Sequence, residues 1–531
     1  MKHETVEKVV ERSKKAWEEK DMWASTLRDA YAYAIPGRNL YIETSPGQLK
    51  NETLYDSTLV SAVQRSVNKY VSELFPPGEQ FINIVTGKLW GAVAGGEDER
   101  RKVQAMLDDL TAACFGAIFS SNFDLSIPEV MYDFLISMGF MLVNPGDDYR
   151  MVDCCSVPLF QVAHERGAYG KTSAVFRNYN VKARDVEPTW RRLGFTAPAG
   201  FDKLVKDKPA ENVACLEATY LDYGSGKWMY EVILKVSLQE GGKDGYHRVV
   251  ETEREYSPWV VLPSSTLAGD SYGRGPVLMA LPDARVLNKV KELTLKNASL
   301  AIAPPLMIMD DGVINFSTVK MVAGAPIQVA RNDGAMGPTI KPLILGENFN
   351  VAELVIGDLQ QTIRRIMIDD ELPGENGAVR SATEYMARAR QANRNTAPRA
   401  RILDGMRHFM QLVVHYLDER GVVAQIMAKH GIQPSKIRVD GLFADIEITS
   451  PMFQTQKLDK LDAMTAFLQM SAGIGMEATV ISMKVEELLP YVWESLGLPS
   501  KYVRSAEERE QMQIDAAKVQ AAQMQPQGAA V

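Results

Sequence analysis

The sequence is poor in the residues that form disulfides and bind metals. Its 531 residues include four cysteines and six histidines, and no two cysteines have the C-x-x-C spacing of a zinc site. His408 and His415 share one helical stretch two turns apart, which is more typical of a polar helix face than of a metal site. The cysteines are predicted to be reduced and mostly buried thiols. No metal or other cofactor is predicted.

Long apolar runs are also absent. The most apolar long stretch, 123–143, contains Asp124, Glu129 and Asp133, and no run reaches the roughly 18 uncharged residues that span a bilayer. The first residues, MKHETVEKVVERSKK, have neither the apolar core nor the small-residue cleavage site of a secretory signal. We therefore expect no secretory signal and no membrane contact.

The common catalytic motifs are missing too. A phosphate-binding loop requires GxxxxGK[ST], whereas GSGK at 224–227 is followed by Trp228. A GxGxxA match at 473–478 follows a helical pattern, although a dinucleotide site requires a preceding strand. No GxSxG elbow supplies a serine nucleophile. These absences predict that the protein is not an enzyme of these classes.

The overall composition is that of a folded, acidic protein. Hydrophobic residues make up 46% and charged residues 24% of the chain, and the net charge is -8 with a pI of about 5.5. This balance argues against wholesale disorder and against tight nucleic-acid binding over the whole surface. The length predicts roughly three or four packing units of ~100 to 200 residues each.

Hydrophobic periodicity predicts an α+β organisation. Apolar residues recur at helical spacing in several stretches, while the region from 151 to about 259 alternates apolar and polar residues around glycine-containing turns. A strand is predicted at 81–85, and the Pro- and Gly-rich segment 304–349 predicts a small β-rich module. The predicted helices are 5–34, 57–75, 99–120, 128–142, 275–300, 351–368, 382–397, 401–430 and 456–497.

Arginine is concentrated late in the chain. Between Arg380 and Arg407 there are seven arginines and two acidic residues, a local charge of +5 in an acidic protein. Such a stripe suits intermittent contact with a phosphate backbone. Ion pairing between subunits explains it equally well, so both interpretations stand.

A cluster of acids precedes this basic region, in the stretch IMIDDELPGENGAVRSATEY. Asp369, Asp370 and Glu371 lie at the end of a predicted helix, where the helix dipole disfavours negative charge. Clustered carboxylates can hold magnesium for phosphoryl transfer, so a metal-dependent nuclease or phosphoryl hydrolase is the alternative function. No His, Lys or Asp partner has a spacing that would complete a two-metal site.

Three blocks of sequence resemble the head-to-tail connector (portal) proteins of short-tailed tailed bacteriophages. The first is AYAIPG followed by LYDSTLVSAVQRSVNKYVSELFPPGEQFINI, which contains an Asp-Ser-Thr helix cap and a Pro-Pro stop. The second is YGRGPVLMALPDARVLNKVKELTLKNASLAIAPP, and the third is SATEYMARAR. Together they span most of the chain in the order that is typical of the family.

The resemblance implies a portal fold of the α+β class, with a mixed α/β wing, long stem helices, a small β-rich clip and a helical C-terminal crown. The implied segments are a wing at 1–270, stem helices at 271–303 and 350–370, a clip at 304–349, a channel loop at 371–381, a kinked wing helix with a return to the wing at 382–455, and a crown and tail at 456–531.

The resemblance also implies the function and the partners. The expected function is a ring of usually twelve identical subunits at one capsid vertex of the virion, assembled in the host cytoplasm. Double-stranded DNA would pass through the ring during packaging and ejection. The terminase large subunit, tail adaptor proteins, and the major capsid and scaffolding proteins are the expected partners.

A set of charged residues is predicted to face this channel. An acidic wall with a few basic rings would keep each DNA contact weak and allow the duplex to slide. The predicted DNA-channel residues are Arg364, Arg365, Asp369, Asp370, Glu371, Arg380 and Arg388. The predicted channel-loop residues are Leu372, Pro373, Gly374, Glu375, Asn376 and Gly377.

Overall fold

The computed structural model describes most of the first 302 residues and several later segments. The described ranges are 4–37, 54–87, 97–147, 149–168, 170–236, 245–302, 306–308, 340–342, 349–367, 399–433, 444–449, 511–512 and 514. The described helices are α1 (Val6–Ala34), α2 (Thr58–Leu74), α3 (Glu97–Phe119), α4 (Phe123–Ile136), α5 (Ala183–Trp190), α6 (Phe201–Asp207), α7 (Pro276–Ile302), α8 (Phe349–Ile366), α9 (Arg399–Glu419) and α10 (Val422–Lys429).

The described strands complete an α+β fold, which confirms the predicted class. They are β1 (Ile82–Thr86), β2 (Met138–Pro145), β3 (Val152–Val157), β4 (Val162–Arg166), β5 (Thr172–Lys182), β6 (Asn212–Leu221), β7 (Trp228–Val236), β8 (Gly245–Arg254), β9 (Trp259–Pro263), β10 (Leu306–Ile308), β11 (Ile340–Pro342) and β12 (Ala444–Ile448). Most predicted helices in the described ranges are found within a few residues of their expected ends. The predicted helices 382–397 and 456–497 lie outside the described residues.

The prediction of one helix over 128–142 is wrong. Helix α4 ends at Ile136, Ser137 has a non-helical backbone, and the chain continues as β2. Strand β2 is the central strand of the three-stranded antiparallel sheet β3-β2-β9, and its residues 138–143 are all buried. A continuous apolar run fits a buried strand as well as a helix, so periodicity could not separate the two.

The chain folds into two compact units. Unit 1 contains the described residues of Met1–Ser25, Arg65–Gly275 and Gly374–Val531, and unit 2 contains those of Thr26–Gln64 and Pro276–Pro373. Each unit therefore combines segments that are far apart in the sequence.

Unit 1 is built on a five-stranded antiparallel sheet with the order β4-β5-β6-β7-β8. One face of this sheet is covered by the start of α1, where Val9 and Val10 pack with Phe176 and Ile233. The other face is covered by α5 and α6, whose buried residues include Trp190. Alternation along the strands therefore buries apolar side chains on both faces.

A cluster of phenylalanines joins early and late parts of the chain within unit 1. The Phe81 ring contacts those of Phe75 and Phe115, with centroids 5.4 and 5.0 Å apart. Phe123 stacks on Phe409 of α9 at 5.0 Å. Strand β12 pairs antiparallel with β1 along its whole length. Elements α9 and β12 thus complete a core that begins more than 300 residues earlier.

A buried lysine fastens α1 within unit 1. Lys20 is 1% exposed, and its Nζ donates hydrogen bonds to the carbonyl oxygens of Leu159 and Val162, the latter at 2.6 Å. The Trp17 ring lies 4.5 Å from the same nitrogen. Burial disfavours the ammonium form and lowers the pKa of Lys20 to about 7, although the charge of Asp133 opposes this shift.

Unit 2 contains α7 and α8, which pack against each other, and the short antiparallel pair β10-β11. Lys291 of α7 and Gln360 of α8 both bind one carboxylate oxygen of Asp56, at 2.6 and 3.1 Å. From its contact with Asp56, α7 leads to β10 with increasing residue number, whereas α8 leads to β11 with decreasing residue number. The two helices are therefore antiparallel.

No single helix in the described ranges has the length and apolar character of a membrane span. Helices α3 and α4 reach that character only when they are taken together, and they are bent by 81° at the break between them.

Candidate DNA-channel segment

Helix α8 leads toward the predicted channel loop and ends in two arginines. Its packed side includes Ile363, and Met367 follows the helix as a buried residue. Arg364 and Arg365 lie in the last helical turn and are both exposed. The carbonyl end of a helix carries partial negative charge, so cations are favoured at this position. Two adjacent cations are therefore presented to solvent immediately before the acidic stretch.

The other predicted channel residues lie outside the described residues. These are Asp369, Asp370, Glu371, Arg380 and Arg388 of the DNA channel, and Leu372, Pro373, Gly374, Glu375, Asn376 and Gly377 of the channel loop. The structure therefore places Arg364 and Arg365 together on α8, and their relation to the rest of the predicted set stays a prediction.

Asp56 connects the segment before α2 to both long helices of unit 2. Besides Lys291 and Gln360, its carboxylate accepts a hydrogen bond from the amide of Thr58 at 2.8 Å, which confirms the predicted Asp-Ser-Thr cap. Burial pushes the pKa of the Asp56 carboxyl upward, but hydrogen bonds from Lys291, Thr58 and Gln360 outweigh it and hold the pKa below its usual range. The carboxylate is thus charged at neutral pH.

Asn288 of α7 completes this polar cluster. Its side chain is buried, and its Oδ1 accepts hydrogen bonds from the amides of Tyr55 at 2.7 Å and Asp56 at 3.3 Å. Buried polar groups with several partners fix one arrangement of the elements that carry them. The Asp56 cluster (Asp56, Thr58, Asn288, Lys291 and Gln360) therefore sets how α7 and α8 meet. Sequence reasoning identified the cap but not its partners on the two helices.

The described residues hold no group of three or more His, Cys, Asp or Glu side chains that could bind a metal. The acids of the alternative nuclease, Asp369, Asp370 and Glu371, lie outside those residues. Cys114, Cys154 and Cys215 are buried and Cys155 is half-buried, which confirms that the cysteines are mostly buried. Burial raises the pKa of the Cys114 thiol to about 12, so it is not a nucleophile.

A cavity of about 780 Å³ lies in unit 1 beside β4, β9 and α9. His164 and His408 line it; His164 is buried and His408 is half-buried. Burial lowers the pKa of His164 to about 4, so the imidazole is neutral, and His408 Nε2 lies 2.8 Å from the Ser257 carbonyl oxygen. The two described channel residues, Arg364 and Arg365, do not line this cavity.

Comparisons with known proteins identify the family. The sequence profile described as "Bacteriophage head to tail connecting protein" matches residues 6–503. A search of curated proteins finds no significant match.

Two similar solved structures come from gene transfer agent (GTA) particles. A chain from the virion of a native GTA particle is 14% identical with a TM-score of 0.34, over 84% of this chain and 94% of that one. A chain from the neck of an empty GTA particle is 12% identical with a TM-score of 0.36, over 85% and 92%. Neither similarity is close enough to carry an assignment.

The profile match alone covers nearly the whole chain, from the first residue of α1 to beyond the last described strand. That family is a structural family and not one of enzymes, and no comparison supports the nuclease alternative. The chain therefore belongs to the bacteriophage head to tail connecting protein family, and it acts as a portal, or connector, between the head and the tail of a phage particle.

Proposed function

We propose that the chain forms a closed ring, with twelve as the expected number of subunits, at one capsid vertex of a short-tailed phage. Double-stranded DNA passes through this ring into the head during packaging and out during ejection. The ring assembles in the host cytoplasm with the major capsid and scaffolding proteins. It then serves as the docking platform for the terminase large subunit and, later, for tail adaptor proteins.

The exposed pair Arg364 and Arg365 is the observation that supports a DNA channel. In a ring, each arginine is repeated once per subunit at the same height, so two adjacent basic belts form at the ends of the α8 helices. Each phosphate contact releases counterions and adds to affinity. Two belts within a protein of net charge -8 provide contact without holding the duplex tightly.

The acids that follow α8 have a matching role in this proposal. Asp369, Asp370 and Glu371 repel the duplex or pair with arginines, including those of a neighbouring subunit, so that DNA is guided and not gripped. In the same proposal α7 and α8 are the stem helices, 304–349 is the clip that meets the motor and tail proteins, and 371–381 is the channel loop.

Charge variants test the channel. Purified wild-type protein and an Arg364→Gln/Arg365→Gln variant are compared by negative-stain microscopy and by DNA packaging and retention in capsids. We expect rings in both and altered packaging or retention in the variant. Arg184→Gln/Arg191→Gln is the matched control, because both arginines are more than half exposed and lie on α5 and just after it.

Neutralising the three acids, as Asp369→Asn/Asp370→Asn/Glu371→Gln, is expected to change DNA retention or packaging while rings still form. Loss of rings would instead assign the acids a structural role. Wild-type protein that stays monomeric even at high concentration and with scaffolding protein would overturn the ring. Magnesium-dependent DNA cleavage that is lost in Asp370→Ala would establish the nuclease in its place.

A further inference from the structure

Helix α7 carries an exposed apolar stripe. Met279, Val286 and Leu293 are 57%, 52% and 54% exposed. They are spaced seven residues apart, and because a straight helix drifts only ~20° over seven residues, they lie in one line. We call these three residues the α7 stripe.

The stripe lies opposite the buried side of α7. Val277 and Ala284 are buried, and each precedes a stripe residue, Val286 or Leu293, by nine positions. At about 100° per residue, nine positions place two side chains on opposite sides of a helix. A helix with apolar residues on two opposite sides is usually packed on both sides. In α7 only one of these sides is packed, and the side with the stripe is exposed.

Helix α8 has its own exposed apolar patch. Leu354 is 74% and Val355 is 38% exposed, and we call them the α8 patch. Leu354 precedes the buried Ile363 by nine positions, so it lies opposite the packed side of α8. Asp358, one turn further along the same face, is exposed.

The C-terminal end of the α7 stripe and the α8 patch lie on the same side of Asp56. Lys291 and Gln360 meet at Asp56, and the helices are antiparallel. Leu293 follows Lys291, and Leu354 precedes Gln360, so both leucines lie on the side of Asp56 that faces the strand pair β10-β11. Each copy therefore presents Leu293 of the stripe and the α8 patch on the same side of Asp56, whereas Val286 and Met279 precede Lys291 by five and twelve positions and lie on the other side.

The charges beside these surfaces are complementary. Lys289 and Lys296 follow Val286 and Leu293 by three residues, and both pair with the single acid Glu292, at 2.9 and 2.5 Å. Two lysines that share one acid leave the margin of the α7 stripe positive at its Leu293 end, while Asp283 lies between Met279 and Val286 at the other end. Asp358 makes the margin of the α8 patch negative. Stripe against stripe would bring lysines together, and stripe against patch brings lysine to aspartate.

We propose that the α7 stripe of one copy of this chain packs against the α8 patch of the adjacent copy, with Lys289 and Lys296 facing Asp358. This inference rests on the proposed ring and names the contact that closes it. A contact between two different surfaces is heterologous, and repeating it leaves no unpaired stripe or patch only when the ring is closed. The occupant is a second copy of the chain.

A charge placed in the stripe tests the contact. The variant Val286→Asp/Leu293→Asp should lower the fraction of subunits in rings by at least about tenfold, because each substitution puts an unpaired charge in an apolar contact. Leu267→Asp is the control, since Leu267 is 57% exposed and lies in unit 1. Ring formation by the stripe variant at the wild-type level would overturn the inference.

Cross-linking tests which surfaces meet, without depending on how a charged variant folds. Leu293→Cys and Leu354→Cys are prepared as separate proteins, each in a Cys155→Ser background. The two proteins are then mixed so that both assemble into the same rings. We expect disulfide-linked dimers in the mixture and not in either protein alone. Dimers of Leu293→Cys with itself would overturn the inference in favour of a two-fold contact, and the absence of dimers in rings that do form would also overturn it.

The two proposals fail in different ways. If wild-type protein forms no rings under any condition, the proposed function fails. If wild-type rings form and the stripe variant forms them equally well, the ring stands and only the stripe-to-patch contact fails. A stripe that instead binds a tail or capsid protein would appear as normal rings that no longer capture that protein, which also overturns the contact between copies.

Discussion

At the scale of single residues, two buried charges are stabilised in different ways. Asp56 is held by Lys291 and by several hydrogen bonds, so its charged form is favoured. Lys20 is held by two carbonyl oxygens and an aromatic ring, and burial disfavours its charged form. The two residues therefore respond to pH in different ranges and for different physical reasons.

The Lys20 site predicts that stability rises with pH above neutrality. Its pKa is about 7 in the folded protein and about 10.4 in an unfolded chain. Between these values the unfolded state binds a proton that the folded state does not, so the free energy of unfolding increases with pH. Relative to Lys20→Met, wild-type protein should gain roughly 2 kcal/mol between pH 7 and pH 9.

Urea unfolding at a series of pH values measures this difference. Lys15→Met is the control, because Lys15 is 70% exposed on the same helix and its variant should keep the wild-type pH dependence. A difference between wild type and Lys20→Met that is constant from pH 7 to pH 9 would mean that Lys20 stays charged in the folded protein.

The Asp56 cluster predicts that unit 2 loses stability when Asp56 is replaced. Asp56→Ala removes a helix-capping bond, an ion pair and the bond to Gln360, so we expect the free energy of unfolding to fall by roughly 2 to 3 kcal/mol. The wild-type contribution is present above the unfolded pKa and is lost as pH falls through the lower folded pKa. Unfolding at pH 7 measures this loss of stability, and Glu79→Ala, at an exposed residue, is the control. An unchanged unfolding midpoint for Asp56→Ala would mean that Asp56 does not stabilise unit 2.

At the scale of elements, the junction of α4 and β2 depends on one close approach. A Cβ on Gly139 of β2 would lie 2.6 Å from Val130 Cγ1 and 2.7 Å from the Val130 carbonyl oxygen of α4. No side chain fits at that distance. The strand can therefore lie on the helix only because residue 139 is glycine.

Two glycine substitutions should have opposite effects. Gly139→Ala forces β2 away from α4 and should destabilise the protein by roughly 1 to 3 kcal/mol. Gly116→Ala lies in α3, where nothing lies within 4 Å of the new Cβ, and should stabilise it by up to about 1 kcal/mol. Thermal unfolding of the two variants measures both signs, and equal midpoints would contradict the packing described.

Sequence patterns predicted the helices and strands better than they predicted which of their faces are buried. The apolar spacing of α7 predicted a helix, but it could not tell which apolar residues face the core, and Val286 and Leu293 are exposed. An apolar stripe looks the same in the sequence whether it packs inside one chain or against another copy. Lys20 is the opposite case, a charged residue that is buried. It follows the buried Ala16 by four residues on α1, and this spacing is the only sequence feature that places it on the buried side of the helix.

At the scale of the whole molecule, unit 1 is assembled from distant parts of the chain. Within unit 1, Phe409 stacks on Phe123, the Tyr416 hydroxyl donates to the Val143 carbonyl oxygen at 3.0 Å, and β12 pairs with β1. A fragment of residues 1–275 has all the strands of the five-stranded sheet but lacks α9 and β12.

We therefore expect the fragment 1–275 to expose apolar surface. It should bind a hydrophobic dye more strongly than the full chain and be cleaved faster by protease, because the Phe123 face and the β1 edge are uncovered. Adding residues 399–449 as a second polypeptide should reverse both effects. Equal protease resistance of the fragment and the full chain would contradict the role of α9 and β12.

The site was predicted less completely than the fold. The resemblance of three sequence blocks led to the head to tail connecting protein family, which the profile confirms. Arg364 and Arg365 are exposed, and their channel role stays a prediction. The Asp56 cluster was missed because Asn288, Lys291 and Gln360 become neighbours of Asp56 only through folding. Local spacing carries no information on contacts between residues more than 200 positions apart.

The pairing of β1 with β12 also has a consequence for the time course of synthesis. The ribosome makes β12 about 360 residues after β1, which at roughly 5 to 20 residues per second is a delay of roughly 20 to 70 s. Throughout that delay the edge of β1 lacks its partner strand, and such an edge readily pairs with other chains. The edge of β1 is therefore open to pairing with other chains during translation, before the subunit is complete.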